Sequence, residues 1–307
     1  MGDRRDARLR VGRLIDRRIA PKTLLRYRLA TQTLVIWVSV MGDSLSPTLE
    51  GLDQQLSQFI EHLWLEGDSK SMAHDAVCGV QHFLFQRNIL PCSWKLCRVW
   101  SKTEMPDQAP PMPANVCLAL VWWALETMQD VRLAASLALA FHCMLRTGEM
   151  LAVTPANVSV NADHCGVVAL PFTKIGQRLG TQEAVSFNEP IVGLLLAKAC
   201  NQCPSHLPLL HSALEFRRSF AFGCQQIGVS NLNLKPYSLR RGGASHDFAT
   251  LGNIQRTLHR GRWSSIATGR LYIKEGLALQ TQMRLTKEGE AEVSRSVQAL
   301  ATWGGNG

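Results

Sequence analysis

The run Met105-Pro106-Asp107-Gln108-Ala109-Pro110-Pro111-Met112-Pro113 most constrains what this chain can fold into. Each proline lacks a backbone N–H and disfavours helix at the residue before it, so no regular helix or central strand passes through this run. Apolar patterning of helical type lies on both sides, and 307 residues suffice for two cores. We therefore place a linker at 103–113. It separates a segment at 21–102 from a larger one at 114–290, with a basic arm at 1–20 and a tail at 291–307.

Before the linker the period is that of an α-helix. Leu52, Leu56, Phe59 and Leu63 fall on one helical face, and Asp68 or Ser69 can cap a following helix that presents Ala73, Val77, Val80 and Leu84. Leu25, Leu29 and the run 34–38 suit an earlier helix, and Trp94, Leu96 and Trp100 close the segment. A small helical bundle is predicted. After the linker, two apolar helices cover 114–129 and 131–146. A hairpin fits 166–172 and 181–187, turning through 174–180. Further helices are predicted from Pro190 to Cys200, from a Ser212 cap to Gln226, and from a Ser238 cap through Leu239 to Thr250. Two short ones fit 254–259 and 265–273. The fold class is mainly α, with a small β-hairpin.

A net charge of +9 favours a polyanionic partner, because each Lys or Arg set on a phosphate releases condensed counterions. The arm carries Arg4, Arg5, Arg8, Arg10, Arg13, Arg17 and Arg18, partly offset by Asp3, Asp6 and Asp16. It reads either as a solvated tail or as a DNA-contacting or targeting segment. Among nine scattered cysteines, Cys78, Cys97, Cys117, Cys143 and Cys224 sit in apolar runs, as buried thiols of an intracellular protein do. Cys200 and Cys203 with His206 lack a second ligand pair, so no metal is expected. The N-terminus has no apolar segment of signal-peptide type, and Glu126, Asp130 and Arg132 separate the longest apolar stretches. Those stretches read as buried helices, and no membrane partner is expected.

Four short motifs carry chemistry. Arg146 ends an apolar helix in Leu145-Arg146-Thr147-Gly148-Glu149-Met150-Leu151, where a buried cation needs an anionic partner. Glu149 can supply one locally. Lys174 sits in the hairpin turn with Arg178. Arg240 and Arg241 open a helix in Tyr237-Ser238-Leu239-Arg240-Arg241-Gly242-Gly243, where the glycines permit close approach of a phosphate. Finally, Gly261-Arg262-Trp263-Ser264-Ser265 leads to Tyr272. Each motif alone also occurs in ordinary folded proteins.

Together, in this order and spacing, they resemble the tyrosine recombinases of the phage-integrase family, over roughly residues 20–285. The resemblance implies that 21–102 is a DNA-gripping core-binding domain and 114–290 a catalytic domain. It implies Tyr272 as nucleophile, Arg146 and Arg240 as the paired phosphate-binding arginines, Lys174 as the hairpin lysine and Trp263 in the His/Trp slot. Glu149 would support Arg146, while Arg178, Arg241 and Arg262 would contact DNA. Tyr237 stands where a histidine is usual, and Met144 where a glycine is usual before the Leu-Arg pair. An attacked phosphodiester gathers charge that two guanidiniums can hold in bidentate fashion, and nearby arginines favour a phenolate. Lys174 could protonate the departing 5′-oxygen. The phosphotyrosyl bond preserves the ester, so rejoining needs neither metal nor other cofactor.

The expected function is therefore site-specific DNA cutting and rejoining on double-stranded DNA, by a tetramer acting on two sites. The segment 277–300 is either one exchanged between subunits or an ordinary terminal helix. A type IB topoisomerase-like activity uses the same nucleophile, and a DNA-binding protein of this fold that does not cut would retain only the affinity. The compartment implied is wherever the DNA is, the nucleus of a eukaryote or the cytoplasm of a bacterium.

Overall fold

The computed structural model describes residues 2–11, 13, 18–105, 108–171, 173, 182–210 and 212–305. The chain divides into two compact units, Met1–Asp107 and Gln108–Gly307.

The first unit holds α1 (Gly2–Val11), α2 (Pro21–Val40), α3 (Leu49–Leu65), α4 (Lys70–Phe83) and α5 (Pro91–Thr103). The arm is helical over α1, with Arg4, Arg5, Arg8 and Arg10 exposed, while Arg17 lies outside the described residues. Leu52, Leu56, Phe59 and Leu63 of α3 are buried, as their spacing predicts, and Thr48 caps that helix by accepting from Gly51 N–H at 3.2 Å. Ser69 takes the N-cap of α4 without a side-chain bond. Ala73, Val77 and Val80 are buried, but Leu84 falls at the C-cap and is exposed. In α2 the buried face is Ala30, Leu34 and Val38, so Leu25 and Leu29 point outward instead.

One polar device organises this bundle. Asp53, buried on α3, accepts from the backbone N–H of Cys92 and of Ser93, both at 2.9 Å, and from the Ser93 hydroxyl at 2.5 Å. A carboxylate from another helix thus satisfies the free N–H groups at the start of α5 and meets the positive end of its dipole. Arg26 makes a bidentate pair with Asp75, at 2.7 and 2.6 Å, joining α2 to α4.

The second unit is built on the apolar helices α6 (Ala114–Glu126) and α7 (Val131–His142). Asp130 caps α7 by accepting from Arg132 and Leu133 N–H groups. A single turn, α8 (Thr147–Met150), follows. The strands are β1 (Val158–Val160), β2 (Gly166–Leu170) and β3 (Glu183–Phe187), antiparallel in that order, with Gly166 paired to both Val160 and Phe187. The hairpin is as expected; β1 is an addition, too short for alternation to reveal. Val168, Leu170, Val185 and Phe187 point into the core.

Then come α9 (Pro190–Asn201), α10 (Ala213–Gln226), α11 (Pro236–Leu251), α12 (Ile254–Gly261), α13 (Ile266–Gly269), α14 (Glu275–Met283) and α15 (Lys287–Gly305). Ser212 caps α10 through Glu215 N–H. Ser238 is no N-cap: α11 begins at Pro236, and the buried Ser238 hydroxyl accepts from Lys235 N–H at 3.1 Å. Residues 291–305, expected as tail, belong to α15, which packs on α6 and buries Val293 and Leu300. Cys78 is half-buried beside His74, rather than buried, and the Cys203 thiol points to the Leu207 and Pro208 carbonyls. No helix among the described residues is long and apolar enough to cross a membrane.

Candidate active site

The site lies where α7 ends, α11 begins and α12 leads into the loop before α13. Gly242 and Gly243 set this junction. A Cβ on Gly242 would meet the Met112 carbonyl oxygen at 2.1 Å, and one on Gly243 would meet that of Phe141 at 2.0 Å. Their smallness serves helix-to-backbone packing, not the close approach of a phosphate that the sequence suggested.

After α7 the backbone turns through Met144, whose φ is +50°. That is the left-handed region, where a side chain is strained and glycine is not. The Met144 side chain is fully buried with Ala244, Leu258 and Trp263, so burial offsets the strain. The turn also directs the Met144 carbonyl onto the Arg240 guanidinium, which donates to it and, at 2.9 Å, to the Gly261 carbonyl.

Arg146 is the N-cap residue of α8. Glu149 accepts from its backbone N–H at 2.9 Å and from its guanidinium at 2.5 Å. Arg262 donates to the same carboxylate at 2.5 Å, and Arg240 stands 3.8 Å from it. Burial opposes ionisation of Glu149. Arg262 and the bonds from Arg146 outweigh it and hold the carboxyl below its usual range. Three guanidiniums thus share one carboxylate, and Glu183 adds a second, weaker one at 3.9 Å from Arg262.

Arg240 is 0% exposed. Burial first, then repulsion from Arg146 and Arg262, pulls its pKa down to about 10. It remains charged at neutral pH. Its guanidinium carbon lies 5.0 Å from the Trp263 ring centre and 5.1 Å from that of Tyr272. These two rings stack at 4.7 Å and 24°. A Cβ on Gly261 would strike the Trp263 ring at 2.0 Å, so Gly261 makes room for the indole. Tyr237, exposed at the edge, donates its hydroxyl to the Tyr272 hydroxyl at 2.7 Å. Burial, then this bond and repulsion from an ionised Tyr272, push Tyr237 up to about 12. Among the described residues the buried Arg240 Nε, Arg262 Nε and Trp263 Nε1 groups have no hydrogen-bond partner.

The structure thus brings together Arg146, Glu149, Tyr237, Arg240, Trp263 and Tyr272. Lys174 and Arg178 lie outside the described residues. Two of the arginines expected at DNA are enclosed. Arg241 is buried, and donates to the Ala109 and Leu271 carbonyls at 3.0 Å and to the Gln108 side chain at 2.7 Å. Arg262 is likewise enclosed, bound to Glu149 and to the Cys143 carbonyl at 3.4 Å. Sequence shows an arginine but not the carbonyls that fold around it; the left-handed φ of +57° at Arg262 had no local signal. No histidine makes up for Tyr237 among the described residues: His246 lies against Phe141, and His259 is exposed on α12. Neither bonds to Tyr237 or Tyr272 among the described residues.

No protein-family model matches this sequence, and no curated protein matches it. Solved structures do. The XerH site-specific recombinase bound to a palindromic difH substrate, post-cleavage, superposes with a TM-score of 0.52 at 11% identity, over 75% of this chain and 72% of XerH. Its pre-cleavage complex with difH gives 0.50 at 10% identity, over 76% and 70%. The Tn1549 transposon integrase (residues 82–397) in complex with circular intermediate DNA gives 0.50 at 11% identity, over 76% and 84%. At such identities the likeness is one of fold: this chain has the mainly α fold of the tyrosine recombinases.

Proposed function

We propose that this chain cuts and rejoins DNA through a 3′-phosphotyrosyl intermediate formed on Tyr272, as a site-specific recombinase or integrase. The observation that carries the reading is the surplus of positive charge around Arg240, whose guanidinium lies against the Tyr272 ring. Arg146, Arg240 and Arg262, set against Glu149 and the more distant Glu183, leave positive charge that a phosphate would neutralise, and the Arg240 Nε and Trp263 Nε1 groups lack partners. A phosphodiester supplies both the charge and the acceptors.

In the proposed reaction the Tyr272 oxygen attacks phosphorus, the P–O5′ bond breaks, and the 5′-oxygen leaves as an alcohol. Arg240 and Arg146 hold the charge that grows on the non-bridging oxygens. Lys174 donates the proton to the leaving oxygen, by resemblance to the family. Tyr237 is protonated at neutral pH, so it stabilises the Tyr272 phenolate as a donor. It does not serve as the base, and the phenol proton passes to solvent. The first unit would grip duplex DNA, and several copies would act on two sites.

The test is a nicked suicide substrate incubated with wild type and with Tyr272→Phe, resolved on a denaturing gel. A shifted covalent band in the wild-type lane alone supports the reading. Plasmid relaxation without two-site exchange would move it to topoisomerase-like chemistry. One observation favours a second reading, of a DNA-binding protein that does not cut: the fully enclosed Arg240. That reading predicts salt-sensitive duplex binding with no adduct on any DNA tested.

A further inference from the structure

Tyr272 sits in the joint 270–274 between α13 and α14, in no helix, so no helical ladder fixes its main chain. One side of the joint is held locally: the N–H groups of Tyr272 and Ile273 both donate to the Gly269 carbonyl, at 2.9 and 3.0 Å. The other side is held by α11. Tyr237, Arg241 and Ser245 follow one another there at four-residue spacing and so share a face of the helix. Tyr237 meets the Tyr272 hydroxyl, as described above. Arg241 donates to the Leu271 carbonyl at 3.0 Å. The Ser245 hydroxyl accepts from the Lys274 N–H at 2.9 Å, and its proton lies between the Arg241 carbonyl at 3.0 Å and the Tyr272 carbonyl at 3.4 Å. Both Arg241 and Ser245 are buried.

We propose that Arg241 and Ser245 are positioning residues for Tyr272. They grip the main chain of the joint, so that the phenol ring stays stacked on Trp263 and against Arg240. The role given to the ring rests on the reading of Tyr272 as nucleophile; the grip itself does not. Arg241 serves as a fixed point because its other side is tied down. Its Nη1 donates to the Ala109 carbonyl at 3.0 Å, and its Nη2 also to the Gln108 side chain at 2.7 Å. That stretch is held to α11 in turn, by the bond from Met112 N–H to the Ser238 carbonyl at 3.1 Å and by the close packing of Gly242 on the Met112 carbonyl. The acceptors that Arg241 meets among the described residues are neutral oxygens on two distant segments. A planar fork reaches both segments at once, and a lysine ammonium does not. One residue thus ties the chain that follows the domain boundary to the residue beside Tyr272.

The first test needs no DNA. The full chain, grown with 3-fluorotyrosine, gives one fluorine signal for each of its three tyrosines, assigned through their Phe variants. Stacking on Trp263 displaces the Tyr272 signal from its unfolded-chain position. In Arg241→Gln and in Ser245→Ala that signal should move towards the unfolded position or broaden, with the Tyr27 signal and the far-ultraviolet circular dichroism unchanged. Ser245→Ala removes a single oxygen and decides the matter alone if Arg241→Gln loses helix. A Tyr272 signal that stays in place in a folded variant overturns the proposal. The second test is single-turnover cleavage of a nicked substrate. Arg241→Gln should slow adduct formation roughly 10- to 100-fold, as small misplacements of a reacting group do, while duplex affinity and its salt dependence stay at the wild-type values. Arg241→Lys should fall between the two. A normal cleavage rate overturns the proposal, and so does a salt slope reduced by about one, which would make Arg241 a phosphate contact. No adduct from wild type, with the fluorine signal displaced in the variants, would remove the nucleophile reading and leave the grip on the main chain standing.

Discussion

Arg240 and Tyr237 show how a single side chain acquires its role from what surrounds it. A guanidinium buried this deeply is costly unless it meets an anion, yet Glu149 is already shared with Arg146 and Arg262. Lysine would keep the charge and lose the fork that reaches two oxygens at once. Arg240→Lys should therefore slow cleavage of a nicked substrate by roughly 100-fold or more. A near-normal rate would mean the phosphate is held elsewhere. Tyr237 gives its proton to the Tyr272 oxygen. Tyr237→Phe removes a bond to what becomes a charged group, which should slow cleavage roughly 10- to 100-fold. Because burial and the Tyr272 bond hold Tyr237 up to about 12, it donates throughout the neutral range. The deficit should therefore be the same at about pH 7 and about pH 9, both well below the raised Tyr237 value. A deficit that disappears with rising pH would assign Tyr237 the role of proton acceptor. The residues missed from sequence are backbone groups. The Met144, Gly261 and Cys143 carbonyls bind arginines from distant segments, and a one-dimensional pattern does not show where a carbonyl points.

At the scale of elements, the site depends on how closely α11 packs on α7 and how firmly α12 is held. Gly243→Ala would drive a Cβ against the Phe141 carbonyl, a rigid backbone atom. The expected loss is about 1–3 kcal/mol in denaturant unfolding, typical of overpacking; an unchanged midpoint would show that the helices can part without cost. Arg260 fixes α12 by bonding Asp247 of α11 and, at 3.1 Å, the His142 ring at the end of α7. Burial, then the Arg260 charge, lowers the His142 pKa below the ordinary 6.5, against weaker pulls from Glu189, Asn188 and Asp247. The sign follows: neutral His142 is favoured in the fold, so its contribution is present above pH 6.5 and is lost as pH falls through the folded value. Thermal stability should fall from about pH 7.5 to about pH 5.5 in wild type and fall less in His142→Gln. Equal slopes would remove His142 from the account. The helices themselves were mostly legible, because burial selects apolar residues at the helical period, as in α3. The glycines of α11 were not. A glycine chosen for packing and one chosen for a ligand look alike until the neighbouring backbone is known. Ser238 misled for a related reason: a serine in the first turn can bond back to the residue before the helix as readily as cap it.

At the scale of the molecule, two units divide at the proline-rich run, where the sequence changes character. The motifs of Arg146, of Arg240 and of Trp263 with Tyr272 converge on one corner of the second unit because each lies at or beside a helix end there, and their order in the chain was readable before their convergence was. Enclosure of Arg241 and Arg262 was not readable, since excess charge alone does not distinguish a framework arginine from one that meets DNA. The proposed chemistry requires Tyr272 to form a bond to phosphorus, and its neighbour Tyr237 offers a second hydroxyl 2.7 Å away. The chain has three tyrosines, so the attacking one can be identified directly. The wild-type adduct from a nicked substrate, digested with nuclease and protease, should carry its residual nucleotide on the peptide containing Tyr272, as read by mass spectrometry. A nucleotide on the Tyr237 peptide, or no modified peptide from any DNA that the protein binds, would contradict it.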